Sequence, residues 1–416
     1  MARKMRDSGV EWIGEVPDGW KFFRAKRLFK KEQRPIRPED EIVTAFRDGE
    51  VTLRKNRRLT GFTEATDYSH YQGIRKGDLV IHQMDAFAGC VGISDSDGMG
   101  SPVLSVCTAK TDRVCIRYYS AIIRMMGLTG YISSLARGVR ERSADFRFET
   151  FAKEYLPVPP LSEQRRIADY LDEKCAAIDG AVDELKRGIE DCKAWKKAII
   201  FEAVTGKANV LAAKNAKVAK RQMRDSGIPW IGEIPEGWEV KRLRFIAEIT
   251  TGNKDTQDAN PDGAYPFYVR SPIVERSADY TFDGLGIMMA GDGAGAGRIF
   301  HLADGKYAVH QRVYRIFNFK NIGAPFLWRY LMATFPFEMD KGSAQSTVPS
   351  VRLPMLLNHC IMFPSLPKQR AIADYLDEKC AAIDALVAEK EKLIADLETY
   401  KKSLIFELVT GKREVA

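Results

Sequence analysis

The 416-residue chain has seven cysteines, and no two of them form a CxxC pair. That excludes a zinc knuckle or a dithiol redox motif. Its five histidines, His70, His82, His301, His310 and His359, are scattered without metal-ligand spacing. No apolar run approaches the ~18 residues of a membrane span, so no membrane partner is expected. The start, MARKMRDSG, has no apolar stretch behind its charges, so it does not read as a secretion signal. Unpaired cysteines and no signal make the cytoplasm the expected compartment. No HExxH, nucleophile elbow or paired-carboxylate nuclease pattern occurs. Val204–Lys207 (VTGK) is no phosphate loop, because Phe201 stands where its first glycine belongs. No catalytic residue and no metal site is therefore assigned.

What is present is a duplication. Met5–Trp20 reads MRDSGVEWIGEVPDGW and Met223–Trp238 reads MRDSGIPWIGEIPEGW. Ile167–Asp179, IADYLDEKCAAID, recurs unchanged at Ile372–Asp384, and VTGK recurs at Val409–Lys412. The segments between these edges do not align beyond scattered positions. Like edges around unlike centres imply a pseudo-two-fold molecule in which one frame presents two different surfaces.

Two long helices follow from the periodicity. Leu171, Ile178, Leu185, Cys192 and Ile199 recur every seven residues, with Cys175, Val182 and Ile189 as companion row. The second copy has Leu376, Ile383, Leu397 and Leu404 beside Cys380, Val387 and Ile394. This is a heptad seam. It breaks where Lys390 replaces Leu185, and Leu386 with Leu393 is expected to compensate. Pro157, Pro159 and Pro160 precede the first helix, which starts near Ser162; Gly206 and Gly411 mark the two C-termini. Each helix would expose its stripe alone, so the two copies are expected to pair. Leu171, Ile178, Leu185, Ile199, Leu376, Ile383, Leu397 and Leu404 are the pairing residues. The fold class is mixed α/β (α+β): a first domain at 1–160, a helix at 161–207, a linker at 208–222, a second domain at 223–365 and a helix at 366–416.

The net charge of +8 is uneven. Residues 1–160 carry +6 and residues 207–222, the linker with Lys207 before it, carry +5, whereas residues 223–365 are neutral and both helices slightly acidic. A partner with phosphates is one reading, and a mildly basic soluble protein the other. Arg54, Lys55, Asn56, Arg57 and Arg58 put four cations and an amide beside a turn. Arg and Lys reach phosphates and guanine edges, and Asn reads adenine. His82 and Gln83 follow the Leu79–Ile81 strand. Arg270, Ser271, His310, Gln311, Arg312, Gln345, Ser346 and Thr347 offer similar donors and acceptors in the second domain. These fifteen residues are the candidate DNA contacts. Gly291–Gly297 (GDGAGAG) lies between two strand-like pieces and reads as a hairpin rather than a nucleotide loop.

The helix entry Pro160-Leu161-Ser162-Glu163-Gln164-Arg165-Arg166-Ile167-Ala168-Asp169-Tyr170-Leu171-Asp172 resembles the helical region of specificity subunits of Type I restriction–modification enzymes. The WIGEVPDGW segment before each variable domain is similar to theirs as well. The second copy departs at Leu366-Pro367-Lys368-Gln369-Arg370, which lacks the glutamate. The resemblance implies two target-recognition domains joined by two antiparallel helices that act as a spacer. It implies a non-catalytic subunit that recognises a bipartite, asymmetric site in double-stranded DNA. It further implies docking of two methyltransferase subunits and, through them, of restriction subunits. S-adenosylmethionine, ATP and Mg would then be bound by the partners, with no cofactor in this chain. The alternatives are a solitary DNA-binding or anti-restriction protein, and an enzyme with an unrecognised site.

Overall fold

The computed structural model describes residues 3–57, 60, 67–135, 145–210, 222–342 and 349–415. It divides into two compact units, residues 1–185 with 392–416, and residues 186–391.

In unit 1, strands β1 (Phe29–Lys31), β2 (Leu79–His82), β3 (Val91–Ile93) and β4 (Leu104–Ala109) form an antiparallel sheet in the order β1-β4-β2-β3. Helix α1 (Ile116–Leu128) covers one face. Its buried Tyr118, Tyr119, Ile122, Ile123 and Met126 recur at helical spacing and share a core with Leu79 and Ile81. Val80, between those two, faces the opposite core with Val43, Val51, Ile74 and Val106. A strand buried on both faces reads as a continuous apolar run, and Leu79–Ile81 is one. The second layer consists of two short ribbons, Val43–Ala45 with Val51–Leu53 and Gln72–Ile74 with Gly98–Gly100. Helix α2 (Leu161–Val204), 44 residues long, follows.

Unit 2 repeats the sheet. Strands β5 (Glu248–Thr251), β6 (Gly286–Ala290), β7 (Phe300–Ala303) and β8 (Val313–Phe317) lie in the order β5-β8-β6-β7. Helix α3 (Ala324–Gly342) packs Phe326, Leu327, Tyr330 and Leu331 against Ile287 and Met289. Here the other face differs. Met288 meets a four-stranded layer whose strands Tyr265–Tyr268 and Lys306–Val309 run parallel. The common sheet was not evident in sequence, because its strands share order and pairing and not residue identity. Helix α4 (Leu366–Val409) closes the chain.

The repeated edges fold alike. Met5–Asp7 pairs with Glu15–Pro17, as Met223–Asp225 does with Glu233–Pro235. Arg6 and Arg224 donate to the Trp20 and Trp238 carbonyls at 2.6 and 2.5 Å. Each hairpin receives the end of one long helix. Gly411, at φ +74°, lies so close that a Cβ would sit 2.5 Å from Pro17 Cδ. Gly206, also at φ +74°, stands likewise 2.6 Å from Pro235 Cδ. No side chain fits there, and left-handed φ favours glycine.

Both helix starts carry the same fork. Gln164 is fully buried; it accepts from Cys115 N–H and donates to the carbonyls of Arg113 and Pro159. Gln369 accepts from Gly323 N–H and donates to the carbonyls of Asn321 and Pro364.

Each unit contains an antiparallel helix pair. In unit 1, Lys401 of α4 donates to both Asp179 oxygens of α2 at 2.6 Å, while Leu171 and Cys175 share a cavity with Ile405. In unit 2, Lys196 donates to Asp384 at 2.6 Å. Leu171, Ile178, Leu376, Ile383 and Leu404 are buried, and Leu185, Ile199 and Leu397 half-buried. The expected compensation by Leu386 and Leu393 does not occur, since both are exposed, at 41% and 45%. Instead Lys390 crosses Gly188, whose missing side chain leaves room for it: a Cβ there would lie 3.2 Å from Lys390 Nζ.

Candidate nucleic-acid interface

The unit 1 candidates sit on the second layer and on the loop after β2. Arg54, Lys55 and Asn56 form one 3-10 turn after the Val51–Leu53 strand. Lys55 pairs with Glu41 at 2.5 Å, and Asn56 donates to the Thr52 hydroxyl at 2.8 Å. Arg57 donates to Asp48 at 2.6 Å and to Glu50 at 2.7 Å, and lies over the Phe46 ring at 4.3 Å. Its hydrogen bond to Asp48 raises the guanidinium above its ordinary value. Arg58 lies outside the described residues. Two of the four cations in this run, Lys55 and Arg57, are thus matched to acids in space.

His82 and Gln83 hold a turn. His82 Nδ1 accepts from Asp85 N–H at 3.1 Å, and burial pushes its pKa down, so the ring is neutral near pH 7. Gln83 donates to the Pro102 carbonyl at 3.1 Å and to Ser105 Oγ at 3.3 Å.

In unit 2 five candidates converge. The Gly291–Gly297 loop joins antiparallel β6 and β7, which is the hairpin its sequence suggested. It carries Asp292, which accepts from Arg270 Nη1 at 2.8 Å and from Arg312 Nη1 at 2.7 Å. Partial burial works to raise that carboxyl, but the two arginine hydrogen bonds outweigh it and hold it below the usual range. Buried His310 accepts from Arg312 N–H at Nδ1 and is pushed down in pKa by its burial. Gln311 donates to Asp255 at 3.0 Å. Ser271 Oγ accepts from Ile273 N–H at 3.1 Å, and its carbonyl lies 3.0 Å from His301 Nε2. Arg270, Ser271, Asp292 and His310 line a concavity of about 500 Å³. Gln345, Ser346 and Thr347 lie outside the described residues. The segment after them returns to the same loop, where Gly293 donates to the Pro349 carbonyl and Val351 to that of Gly291.

Sequence reasoning missed Asp292 and Asp255, the acids that organise this surface. The one available signal was the aspartate set among the glycines of GDGAGAG. Among the described residues no group of three or more His, Cys, Asp or Glu is arranged to hold a metal. No described helix is long and apolar enough to cross a membrane.

A family model described as the Type I restriction modification DNA specificity domain matches residues 235–395. The MjaVIII specificity subunit of a Type I restriction enzyme from Methanocaldococcus jannaschii is 28% identical over 288 residues, 62% of either chain. The EcoDI specificity subunit from Escherichia coli is 25% identical over 44% of this chain and 40% of its own. The matches thus span less than two thirds of these two relatives. A solved chain from a study of complex assembly and conformational transition in a type I R-M system superposes with TM-score 0.72. It is 16% identical and covers 96% of this chain and 99% of its own. The HsdS subunit from Thermoanaerobacter tengcongensis gives 0.53, at 16% identity and coverage of 96% and 98%.

Proposed function

We propose that this chain, which belongs to the Type I restriction–modification specificity subunits, reads a two-part, asymmetric site in double-stranded DNA, one half through each unit. The observation that carries this reading is the repeated sheet with unlike second layers. One frame recurs, while the side chains offered to a partner differ in kind and layout. Arg54, Lys55 and Arg57 supply phosphate contacts for one half-site. Arg270 and Arg312, held by Asp292, supply guanine-type or phosphate contacts for the other.

The subunit is not catalytic. The long helices act as the spacer between recognition domains and dock two methyltransferase subunits, which in turn recruit the restriction subunits. S-adenosylmethionine, ATP and Mg belong to those partners. The chain works inside the cytoplasm, where its DNA substrate is found.

The test is to co-express the chain with a Type I methyltransferase subunit and map adenine methylation across the host genome. A single bipartite, non-palindromic motif is expected, absent when the chain is omitted. A palindromic motif, or none, would contradict the reading. DNA binding by the chain without any association with the methyltransferase subunit would favour a solitary DNA-binding protein.

A further inference from the structure

In unit 2 the fold brings two arginines and one acid to a single edge. The strands Tyr265–Tyr268 and Lys306–Val309 run parallel, so the residues that follow each leave at the same end, and these include Arg270 and Arg312. Asp292 arrives from the β6–β7 loop. Its backbone is tied on both sides: Gly291 N–H donates to the Arg312 carbonyl at 2.9 Å, and Gly293 N–H to the Pro349 carbonyl at 3.0 Å. A Cβ at Gly291 would lie 2.8 Å from that Arg312 oxygen, so only glycine allows the approach. The Arg312 backbone is fixed in turn by His310 Nδ1, which accepts its N–H at 3.0 Å.

Each arginine commits one nitrogen, Nη1, to Asp292. Among the described residues nothing accepts from Nε or Nη2 of either, and the two side chains are 40% and 61% exposed. Each therefore presents a pair of parallel donors, Nε–H and Nη2–H. A base edge that satisfies two parallel donors must offer two acceptors. In the major groove guanine alone does so, with N7 and O6; adenine sets a donor beside its acceptor, thymine has one acceptor, and cytosine offers a donor.

A phosphate would also accept from such a pair, but the surroundings oppose it. Asp292 is only 18% exposed and is bonded by both arginines, so it stays in place. A phosphate on either guanidinium would then stand beside a carboxylate of like charge. The adjoining concavity is lined by Arg270 as cation and by Asp292 and Glu275 as acids, which leaves no excess of positive charge to attract a DNA backbone. A neutral base edge meets no such repulsion. Unit 1 differs, since the acids on its Lys55 and Arg57 are 53% exposed for Glu41, 54% for Asp48 and 47% for Glu50, and can swing aside for a phosphate.

We propose that Arg270 and Arg312 each read one guanine in the half-site of unit 2, through their Nε–Nη2 edges, with Asp292 holding both in position. The proposal rests on the reading of this chain as a DNA-recognition subunit and names the bases that unit 2 selects.

The test is selection from random-sequence DNA duplexes by the full chain in complex with a Type I methyltransferase subunit, as wild type, R270A and R312A. The wild type should enrich a motif in which two guanines belong to one half, and each substitution should relax one of them. A second measurement uses the wild type first. Placing 7-deazaguanine, which pairs with cytosine but lacks the N7 acceptor, at either position should weaken binding at least about fivefold, and should cost the matching alanine variant nothing further. No enriched motif for the wild type would end the DNA-recognition reading and this proposal together. Three results would overturn the proposal alone: a motif without guanine in either half, a wild type indifferent to 7-deazaguanine at every guanine, or an R312A variant that keeps the motif while its salt slope falls by about 0.9, as a lost phosphate contact would give.

Discussion

Unit 1 and unit 2 hold their candidate DNA contacts in opposite ways. In unit 1, Lys55 and Arg57 are strung along one turn, and each is matched to different acids, Glu41 for one and Asp48 with Glu50 for the other. In unit 2, Arg270 and Arg312 come from different strand ends and meet on a single carboxylate, Asp292. The first arrangement is a row of separable pairs. The second is a preorganised fork, in which removing one residue releases two cations. The sheets beneath are the same, so the difference resides in the second layer and its loops. A duplicated frame can therefore diverge in what it reads without altering what it rests on.

If the frame is common, damage to its shared joints should cost both units alike. Gly206→Val and Gly411→Val each place a β-branched side chain against a proline, at a φ that only glycine tolerates well. Each should cost about 3 kcal/mol or more. Calorimetry of the two variants should show equal losses; a large loss in one alone would break the equivalence of the units. Next in size is the glutamine fork. Gln164→Leu and Gln369→Leu each leave an N–H and two carbonyls without their partner, and about 2–3 kcal/mol is expected for either, read from denaturant midpoints.

The recognition surfaces should respond unequally. Asp292→Asn keeps the shape of the fork but removes its charge, so both arginines lose their anchor. Affinity for the cognate site should fall about tenfold, ~1.4 kcal/mol, with discrimination lost at one half-site only, as measured by competition with single-base variants. Arg57→Ala should do less. Its charge is shared with two acids in the free chain, so a loss of about threefold or less is expected, with a salt slope lowered by no more than about one unit. An Arg57→Ala effect larger than that of Asp292→Asn would reverse the comparison.

The frame was far more legible in sequence than the surfaces. The heptad rows gave helices close to Leu161–Val204 and Leu366–Val409, because a buried stripe recurs at a fixed interval whatever it packs on. The repeated edges were visible, with Gly206 and Gly411 as helix stops, but that they meet as joints, Gly411 on Pro17 and Gly206 on Pro235, needed the fold. Periodicity alone misassigned Leu386 and Leu393, since an apolar residue at seven-residue spacing is not thereby buried. The solution chosen, Lys390 over Gly188, needs the partner helix to be known. The cation run at Arg54–Arg57 was visible, but its neutralising acids were not, because a ribbon rather than chain neighbourhood brings Asp48 and Glu50 to Arg57. Asp292 was hidden for the same reason. Its partners lie 22 and 20 residues away in sequence and meet only once the loop after β6 is built.

The central claim, one frame with two independent readers, is tested most directly by exchanging residues 223–365 for the corresponding domain of a Type I specificity subunit and sequencing the methylated adenines of a host that carries the complex. The account predicts that one half of the motif changes to the donor's and the other half stays as it was. A motif altered in both halves, or in neither, would contradict it.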